Sequence, residues 1–219
     1  MQHQIPISGS FSLFNYININ PSFNFTDRMY TNKVTRTWDK TAQREVVADT
    51  TYGFHNVYNW NLSVSASTKL YGFWTPNRKI FGDKIQTIRH VVTPTVSFSY
   101  APDFSASRYG YYETYQRTNS DGSVDLVQYS PYQNGLYGVP GAGKTGSISF
   151  GLDNNIEMKV RSDKDSTGFK KLSLIDNLGL NMSYNMAAKE KPWSDLSMNI
   201  RLKWWKNYTF NMNAVFASY

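Results

Sequence analysis

Apolar and polar residues alternate along most of this chain with a period of two, and the alternation recurs in eight separate runs. Successive side chains of a β-strand point to opposite faces, so such runs build strands with one apolar and one polar face. Ile5, Ile7, Phe11 and Leu13 make the first set and Ile17, Ile19, Phe23 and Phe25 the second. Tyr58, Trp60, Leu62, Val64 and Ala66 follow, then Val92, Val96, Phe98 and Tyr100. The fifth set is Ile148, Phe150, Leu152, Ile156, Met158 and Val160, and the sixth is Leu172, Leu174, Leu178, Leu180, Met182, Tyr184 and Met186. Leu196, Met198, Ile200, Leu202 and Trp204 form the seventh, opposed by Ser197, Asn199, Arg201 and Lys203. Tyr208, Phe210, Met212, Ala214 and Phe216 form the eighth. No segment has a period of 3.6 residues, so the expected class is all-β: an antiparallel meander of about eight strands.

Run length is compatible with a membrane barrel. From Leu196 to Trp204 a strand advances roughly 26 Å at ~3.3 Å per residue. A tilt of ~40° lowers that to about 20 Å, close to the ~25 Å apolar band of an outer-membrane barrel. Composition agrees. Aromatic residues make up 16% and charged residues only 18%, yet mean hydropathy is −0.51. Polarity comes from Ser, Thr, Asn and Tyr on alternate positions, as it does where only every second residue meets lipid. Tyr58, Trp60, Trp204, Tyr208 and Tyr219 are expected at run ends, where amphipathic rings favour the membrane interface. Asp176 falls in phase with the apolar residues of its run and is expected at headgroup level. Asn154 interrupts the fifth run and calls for a bulge or a protein-covered face.

The connections divide by length. Asn15-Tyr16, Lys206-Asn207 and the polar turn Ser162 to Lys170 are short, and Thr75 to Asp83 is of middling length on the same side. Asp39 to Gln43, Ala187 to Pro192 and the long segment Ala101 to Thr145 lie on the other side. Barrels place short turns at the periplasm and longer loops outside. Both ends of the chain then fall outside, whereas a complete barrel has both ends in the periplasm. The expectation is a fragment, one partial barrel domain over residues 1–219, with a long outer loop over 101–145. The N-terminus has neither a basic nor an apolar leader segment, so Met1 is not the expected natural start.

Other chemistries find little support. Cysteine is absent, and His3, His55 and His90 stand far apart, so no metal-ligand spacing occurs. The net charge of +7 is not gathered into a run, which argues against a nucleic-acid patch. It fits either a basic lumen or loop set meeting anionic headgroups, or a solvated surface. Gly138 to Thr145 reads GVPGAGKT and matches the P-loop pattern. A P-loop must open a helix, but Gly146 to Leu152 alternates as a strand, so the expectation is a glycine-rich loop that binds no nucleotide. Asp163, Asp165 and Ser166 lack the glycine and distal glutamate of a calcium loop. Neither an enzyme nor a cofactor is expected.

The segment Ile88 to Phe104, IRHVVTPTVSFSYAPDF, resembles a strand and loop entry of the LptD (OstA) family of lipopolysaccharide-assembly proteins. Arg89, His90, Pro94, Tyr100, Pro102 and Asp103 carry the likeness, and Ala101 stands where the family pattern has Arg. Tyr109 to Tyr112, Tyr129 to Tyr132, Gly146 to Phe150, Asn154 to Arg161, Ser173 to Leu178, Tyr184 to Ala188 and Trp193 to Asp195 extend it over nearly the whole chain. The resemblance implies a large barrel in the outer membrane of a Gram-negative bacterium. Such a barrel receives lipopolysaccharide from periplasmic bridge proteins, follows a jellyroll domain, is plugged by a lipoprotein of the LptE type, and inserts its cargo in the outer leaflet. No segment here reads as the jellyroll, and the first and last strands, between which such barrels open, are not expected here. The fragment alone is not expected to transport.

Lys159, Arg161, Arg201 and Lys203 alternate with lipid-facing residues and are expected to point into the lumen, as contacts for headgroup or plug or as charges that keep the interior wet. Leu196, Met198, Ile200, Leu202 and Trp204 are expected to face lipid. Two rivals fit the same residues: another outer-membrane barrel, such as a porin or transporter, and a soluble secreted β-sandwich that binds glycans. Two substitutions separate them. A charge on the lipid face costs ~2–4 kcal/mol near mid-bilayer, so Ile200→Arg blocks assembly of the full-length barrel while Asn199→Arg is tolerated. The readout is the yield of heat-modifiable, membrane-embedded protein. Equal damage means that both faces are packed, as in a sandwich, and damage from Asn199→Arg alone means that the facing is inverted.

Overall fold

The computed structural model describes residues 1–163, 168–204 and 208–219, without the side chains of Phe81 and Trp204. The turn expected at Lys206-Asn207, Trp205, and Asp165 and Ser166 of the polar turn lie outside the described residues. The strands are β1 (Gln2–Ser8), β2 (Phe11–Leu13), β3 (Ile17–Asp39), β4 (Arg44–Thr68), β5 (Leu70–Trp74), β6 (Ile85–Ala101), β7 (Glu113–Thr118), β8 (Val124–Tyr129), β9 (Thr145–Arg161), β10 (Phe169–Asn185), β11 (Leu196–Trp204) and β12 (Tyr208–Phe216). Among the described residues helix is confined to α1 (Arg78–Phe81) and one 3₁₀ turn (Ser107–Tyr109). The main sheet runs β1-β3-β4-β6-β9-β10-β11-β12, with β2 also on β3 and β5 also on β6, and β7 and β8 form a hairpin of their own. The expected all-β antiparallel meander is what the chain adopts. Among the described residues no helix is long and apolar enough to cross a membrane.

Local chemistry explains where the strands differ from the eight runs. The first run is split. Ser8 faces Ser22 and Phe11 faces Ile19 on β3, and between them lies Pro21, which has no N–H for the ladder. Gly9 N–H still donates to the Pro21 carbonyl at 3.1 Å. In β5, Phe73 pairs with Arg89 and Leu70 with Val92. Its sequence LYGFW is apolar on both phases, so periodicity does not reveal it. The β7–β8 hairpin turns through Asn119 to Ser123, with Gly122 at φ +82° and its N–H donating to the Asn119 carbonyl at 3.1 Å, a longer loop closed by a left-handed glycine. At the first tight turn, Phe14 and Asn15 have φ of 51° and 63°, the left-handed values of a primed two-residue turn.

The chain divides into two compact units. The first holds Met1–Ser8, Ser22–Leu62 and Tyr100–Thr145, the second Gly9–Pro21, Ser63–Ser99 and Gly146–Tyr219. In the first unit the 101–145 segment is folded. Phe104, Tyr111 and Tyr132 from this loop bury against Tyr30 of β3 and Val57 of β4. Each buried aromatic removes roughly 150–250 Å² from water, about 4–6 kcal/mol at ~25 cal/mol per Å². The loop lies on the polar phase of the β3–β4 hairpin. Arg28 donates to the Tyr137 carbonyl at 3.2 Å and to Asn59 Oδ1 at 2.5 Å, and the Tyr30 hydroxyl donates to the Gly138 carbonyl.

The same loop bonds to both strands of this hairpin at their edges. Val34 N–H donates to the Pro131 carbonyl at 3.2 Å and Arg36 N–H to the Tyr129 hydroxyl at 3.0 Å. On the other strand Tyr58 N–H donates to the Tyr111 hydroxyl at 2.9 Å. Unpaired strand edges template wrong pairing, and these bonds occupy them. A polar rim holds the loop down: Lys33 Nζ lies 2.5 Å from Glu113 Oε1, the Tyr129 hydroxyl donates to Glu113 Oε2 at 2.8 Å, and Arg36 pairs with Glu45. Tyr58 and Trp60, expected at strand ends, are interior to β4, because the strand continues outward to Arg44 as this capped extension.

Burial pushes the Glu113 carboxyl up, but the hydrogen bonds from Lys33 and Tyr129 and the Lys33 charge outweigh it, so it ionises more readily than usual. A carboxylate with a depressed folded-state pKa stabilises above its unfolded value and loses that contribution as pH falls through the folded one. Amide protection in Tyr111 to Tyr132, relative to the intrinsic exchange rate at each pH, is therefore high at neutral pH and falls below the ordinary glutamate value of about 4.3, and Glu113→Gln lowers it at neutral pH. Exchange that ignores both changes contradicts this docking. A side chain at Gly135 meets the ring of Tyr30, so Gly135→Val costs ~1–3 kcal/mol through overpacking, read as loss of loop protection.

Candidate functional site

In the second unit β9, β10, β11 and β12 pair antiparallel and, apart from a short stretch of β10, carry one phase to each face. On the apolar face Leu152 pairs with Leu180, Leu180 with Met198 and Met198 with Ala214. Along the next row Asn154 pairs with Leu178, Leu178 with Ile200 and Ile200 with Met212, and Leu202 pairs with Phe210 further on. The expected lipid-facing residues Leu196, Met198, Ile200 and Leu202 thus sit in one continuous stripe, with Leu196 opposite Phe216. Trp204 pairs with Tyr208, and its side chain lies outside the described residues.

The two awkward residues have local answers. The β9–β10 register shifts once between Ser173 and Ile175 and again between Ile175 and Leu178. Each shift adds one residue to β10, so phase is inverted between them and restored after them. Ile175 pairs with Ile156 in this stretch. Asp176 thereby leaves the apolar phase, where the sequence placed it, and its Oδ2 sits 2.5 Å from Arg201 Nε. Asn154 keeps the apolar phase but is satisfied: its amide donates to the Leu178 carbonyl at 3.2 Å, and its Oδ1 is 3.1 Å from His90 Nε2. The bulges expected near Asn154 are on its partner strand.

Two of the cavities among the described residues open on the polar face. One, of about 700 Å³, is lined by Thr95, Ser97, Ser149, Asp153, Asn181 and Ser197 among others. Gly151 is part of its lining, and a Cβ there would meet Asn181 Oδ1 at 3.2 Å. The other, of about 290 Å³, is lined by Phe73, Thr87, Arg89, Glu157, Met158, Lys159 and Lys171. Arg89 and Glu157 pair at 2.6 Å. Lys159 lies directly opposite Lys171, and its ammonium stands 4.2 Å from the centre of the Phe169 ring.

The four cations expected in the lumen are distributed as follows. Lys159 lines the smaller cavity, and Arg161, two residues on and on the same phase, is exposed at the end of β9 with its N–H on the Lys84 carbonyl at 2.8 Å. Arg201 is tied to Asp176, and Lys203 is exposed opposite Thr209. Sequence reasoning missed Phe73, Thr87, Glu157 and Lys171 as their companions. The signal was there for Glu157, which shares the phase of Lys159 and Arg161, but pairing with Arg89 needs the fold.

The motif residues divide by role. Arg89 and His90 make the side-chain bonds to Glu157 and Asn154. Pro94 lies within β6. Tyr100 packs on Trp60, ring centres 6.0 Å apart, and Pro102 is buried. Asp103 ties the loop's ends: its Oδ1 accepts from Ser105 N–H at 2.8 Å, the Ser105 hydroxyl at 2.6 Å and Gly143 N–H at 3.0 Å. The hydrogen bonds from Ser105, first its hydroxyl and then its N–H, hold this carboxyl below its ordinary range. Gly138 to Thr145 runs into β9 and not into a helix, so the geometry of a P-loop is absent.

A family model described as LptD protein matches residues 1–219. No curated protein and no solved structure matches the chain. The two-faced antiparallel sheet, the motif from Arg89 to Asp103 in its structural roles and the match over the full span place this chain in the LptD family, and with it in lipopolysaccharide transport and assembly.

Proposed function

We propose that this chain forms part of the wall of an outer-membrane β-barrel that inserts lipopolysaccharide into the outer leaflet, as a conduit that makes and breaks no covalent bond. The observation that carries the reading is the sheet of the second unit, with an apolar stripe through Leu180, Ile200 and Met212 on one face and a cavity lined by Ser, Thr and Asn on the other. A lipid with several acyl chains and a phosphorylated sugar head needs both environments. Acyl chains are matched to hydrocarbon, and sugars and phosphates to a wet face with hydrogen-bonding groups. In this reading the apolar stripe meets outer-membrane lipid and the polar face meets the headgroup in passage.

Arg201 is neutralised by Asp176, which leaves Lys159, Arg161 and Lys203 as the better-placed cations for a headgroup. They are also the candidates for contact with a plug lipoprotein of the LptE type, while bridge proteins on the periplasmic side deliver the cargo. The test is photo-cross-linking in cells, with the full-length membrane-embedded protein carrying a photoreactive residue at Ser197 or at Met198. Ser197 lines the larger cavity, and Met198 is its apolar neighbour. Lipopolysaccharide is captured at Ser197 and phospholipid at Met198. Capture of lipopolysaccharide at neither site contradicts the proposal, and recovery of the protein in the soluble fraction favours the glycan-binding sandwich.

A further inference from the structure

We propose that Arg89, Lys159 and Lys171 form a seat for a phosphate monoester, the group carried by the headgroup of a lipid A-type glycolipid. This deepens the conduit reading above and rests on it. Three observations converge on the smaller cavity of the polar face. First, Lys159 and Lys171 are direct cross-strand partners. Side chains so placed have Cβ atoms ~4.5–5.5 Å apart, and like charges there are destabilising. Among the described lining residues the one carboxylate, Glu157, is engaged by Arg89 at 2.6 Å, so no described carboxylate of the cavity pairs with the two lysines, and Lys159 rests against the Phe169 ring.

Second, the donors are of the right kinds. A lysine ammonium binds phosphate as a compact charge, and a guanidinium presents a fork of N–H groups. The contact from Arg89 to Glu157 runs through one terminal nitrogen, which leaves its other N–H groups for a second anion, and Thr87 adds a hydroxyl to the lining. In the next row of the same phase, Ser173 faces Glu157, and its hydroxyl is buried without a hydrogen-bond partner among the described residues. Third, the cavity has an apolar side in Phe73 and Met158. At about 290 Å³ it stands at the small end of ligand sites, which suits one phosphorylated sugar unit and not a whole lipid. A monoester near neutral pH carries about −1.5 to −2 charges, which matches the net charge of three cations and one carboxylate.

The experiment uses the full-length membrane-embedded protein with a photoreactive residue at Thr87, and in parallel at Ser197 in the larger cavity. Probes are lipopolysaccharide, the same material stripped of its lipid A phosphates, and inorganic phosphate as competitor. Intact lipopolysaccharide is captured at Thr87, and the yield falls at least fivefold in the double variant Lys159→Gln and Lys171→Gln, while capture at Ser197 holds. The pair Lys159→Arg and Lys171→Arg retains capture. Heat-modifiable mobility shows which variants assemble, and Lys171→Gln alone gives the same readout if the double variant does not. Stripped lipopolysaccharide reaches Ser197 but not Thr87. Capture at Thr87 that ignores charge removal or phosphate stripping overturns the seat, as does silence at Thr87 with capture at Ser197. Silence at both positions overturns the conduit reading and the seat with it. Inorganic phosphate that abolishes capture at concentrations equal to the lipid assigns the seat to free phosphate and overturns a lipid headgroup as its occupant.

Discussion

A backbone N–H or C=O left unpaired in hydrocarbon costs several kcal/mol, and the antiparallel ladder that satisfies these groups is what the rest of this protein depends on. Once the ladder exists, side chains have two directions only. Leu196 to Trp204 shows the result in pure form: every residue of β11 pairs with one of β12 in unbroken register, and one phase is apolar while the other is Ser, Asn, Arg and Lys. The same demand acts where β3 and β4 extend outward. There the free N–H groups of Val34, Arg36 and Tyr58 are met by Pro131, Tyr129 and Tyr111. The long loop thus continues the work of the ladder by other means, and its tyrosines serve twice, with rings in the core and hydroxyls on the strand edges.

Departures from the ladder are local and compensated. Two one-residue bulges in β10 invert the phase over a few residues, and that inversion turns Asp176 from a charge on the apolar face into the partner of Arg201. Asn154 stays on the apolar phase and meets its needs through the Leu178 carbonyl and His90. A half-buried amide with its donor and acceptor occupied is tolerable where a bare one is not. The Lys159–Lys171 pair is different: Lys159 rests against the Phe169 ring, and among the described residues no carboxylate is paired with either lysine. An anion from outside the chain accounts for it.

Much of this was legible in the sequence because period two is a direct projection of the ladder. The eight runs, the Asp39 to Gln43 turn and the strand after Gly138 to Thr145 follow from it. What escaped has definite causes. β5 is apolar on both faces, so alternation vanishes around Gly72. The β7–β8 hairpin is six residues per strand inside a segment whose Tyr, Gly and Ser content masks it. Asp176 was placed on the wrong face because counting by two fails across a bulge, and a bulge is set by the partner strand. For the same reason Lys159 was found while Lys171, Glu157 and Arg89 were not recognised beside it: cross-strand neighbours depend on register, which one strand's sequence does not contain.

The central claim is that one phase of the sheet meets lipid and the other meets water. The chain has no native cysteine, so single nitroxide labels can be placed one at a time from Leu196 to Lys203 in the membrane-embedded protein. Their collision rates with apolar oxygen and with a water-soluble nickel chelate report the two media directly. The account predicts oxygen maxima at Leu196, Met198, Ile200 and Leu202 and chelate maxima at Ser197, Asn199, Arg201 and Lys203. Low accessibility to both reagents at both phases, the pattern of a packed soluble core, would contradict it.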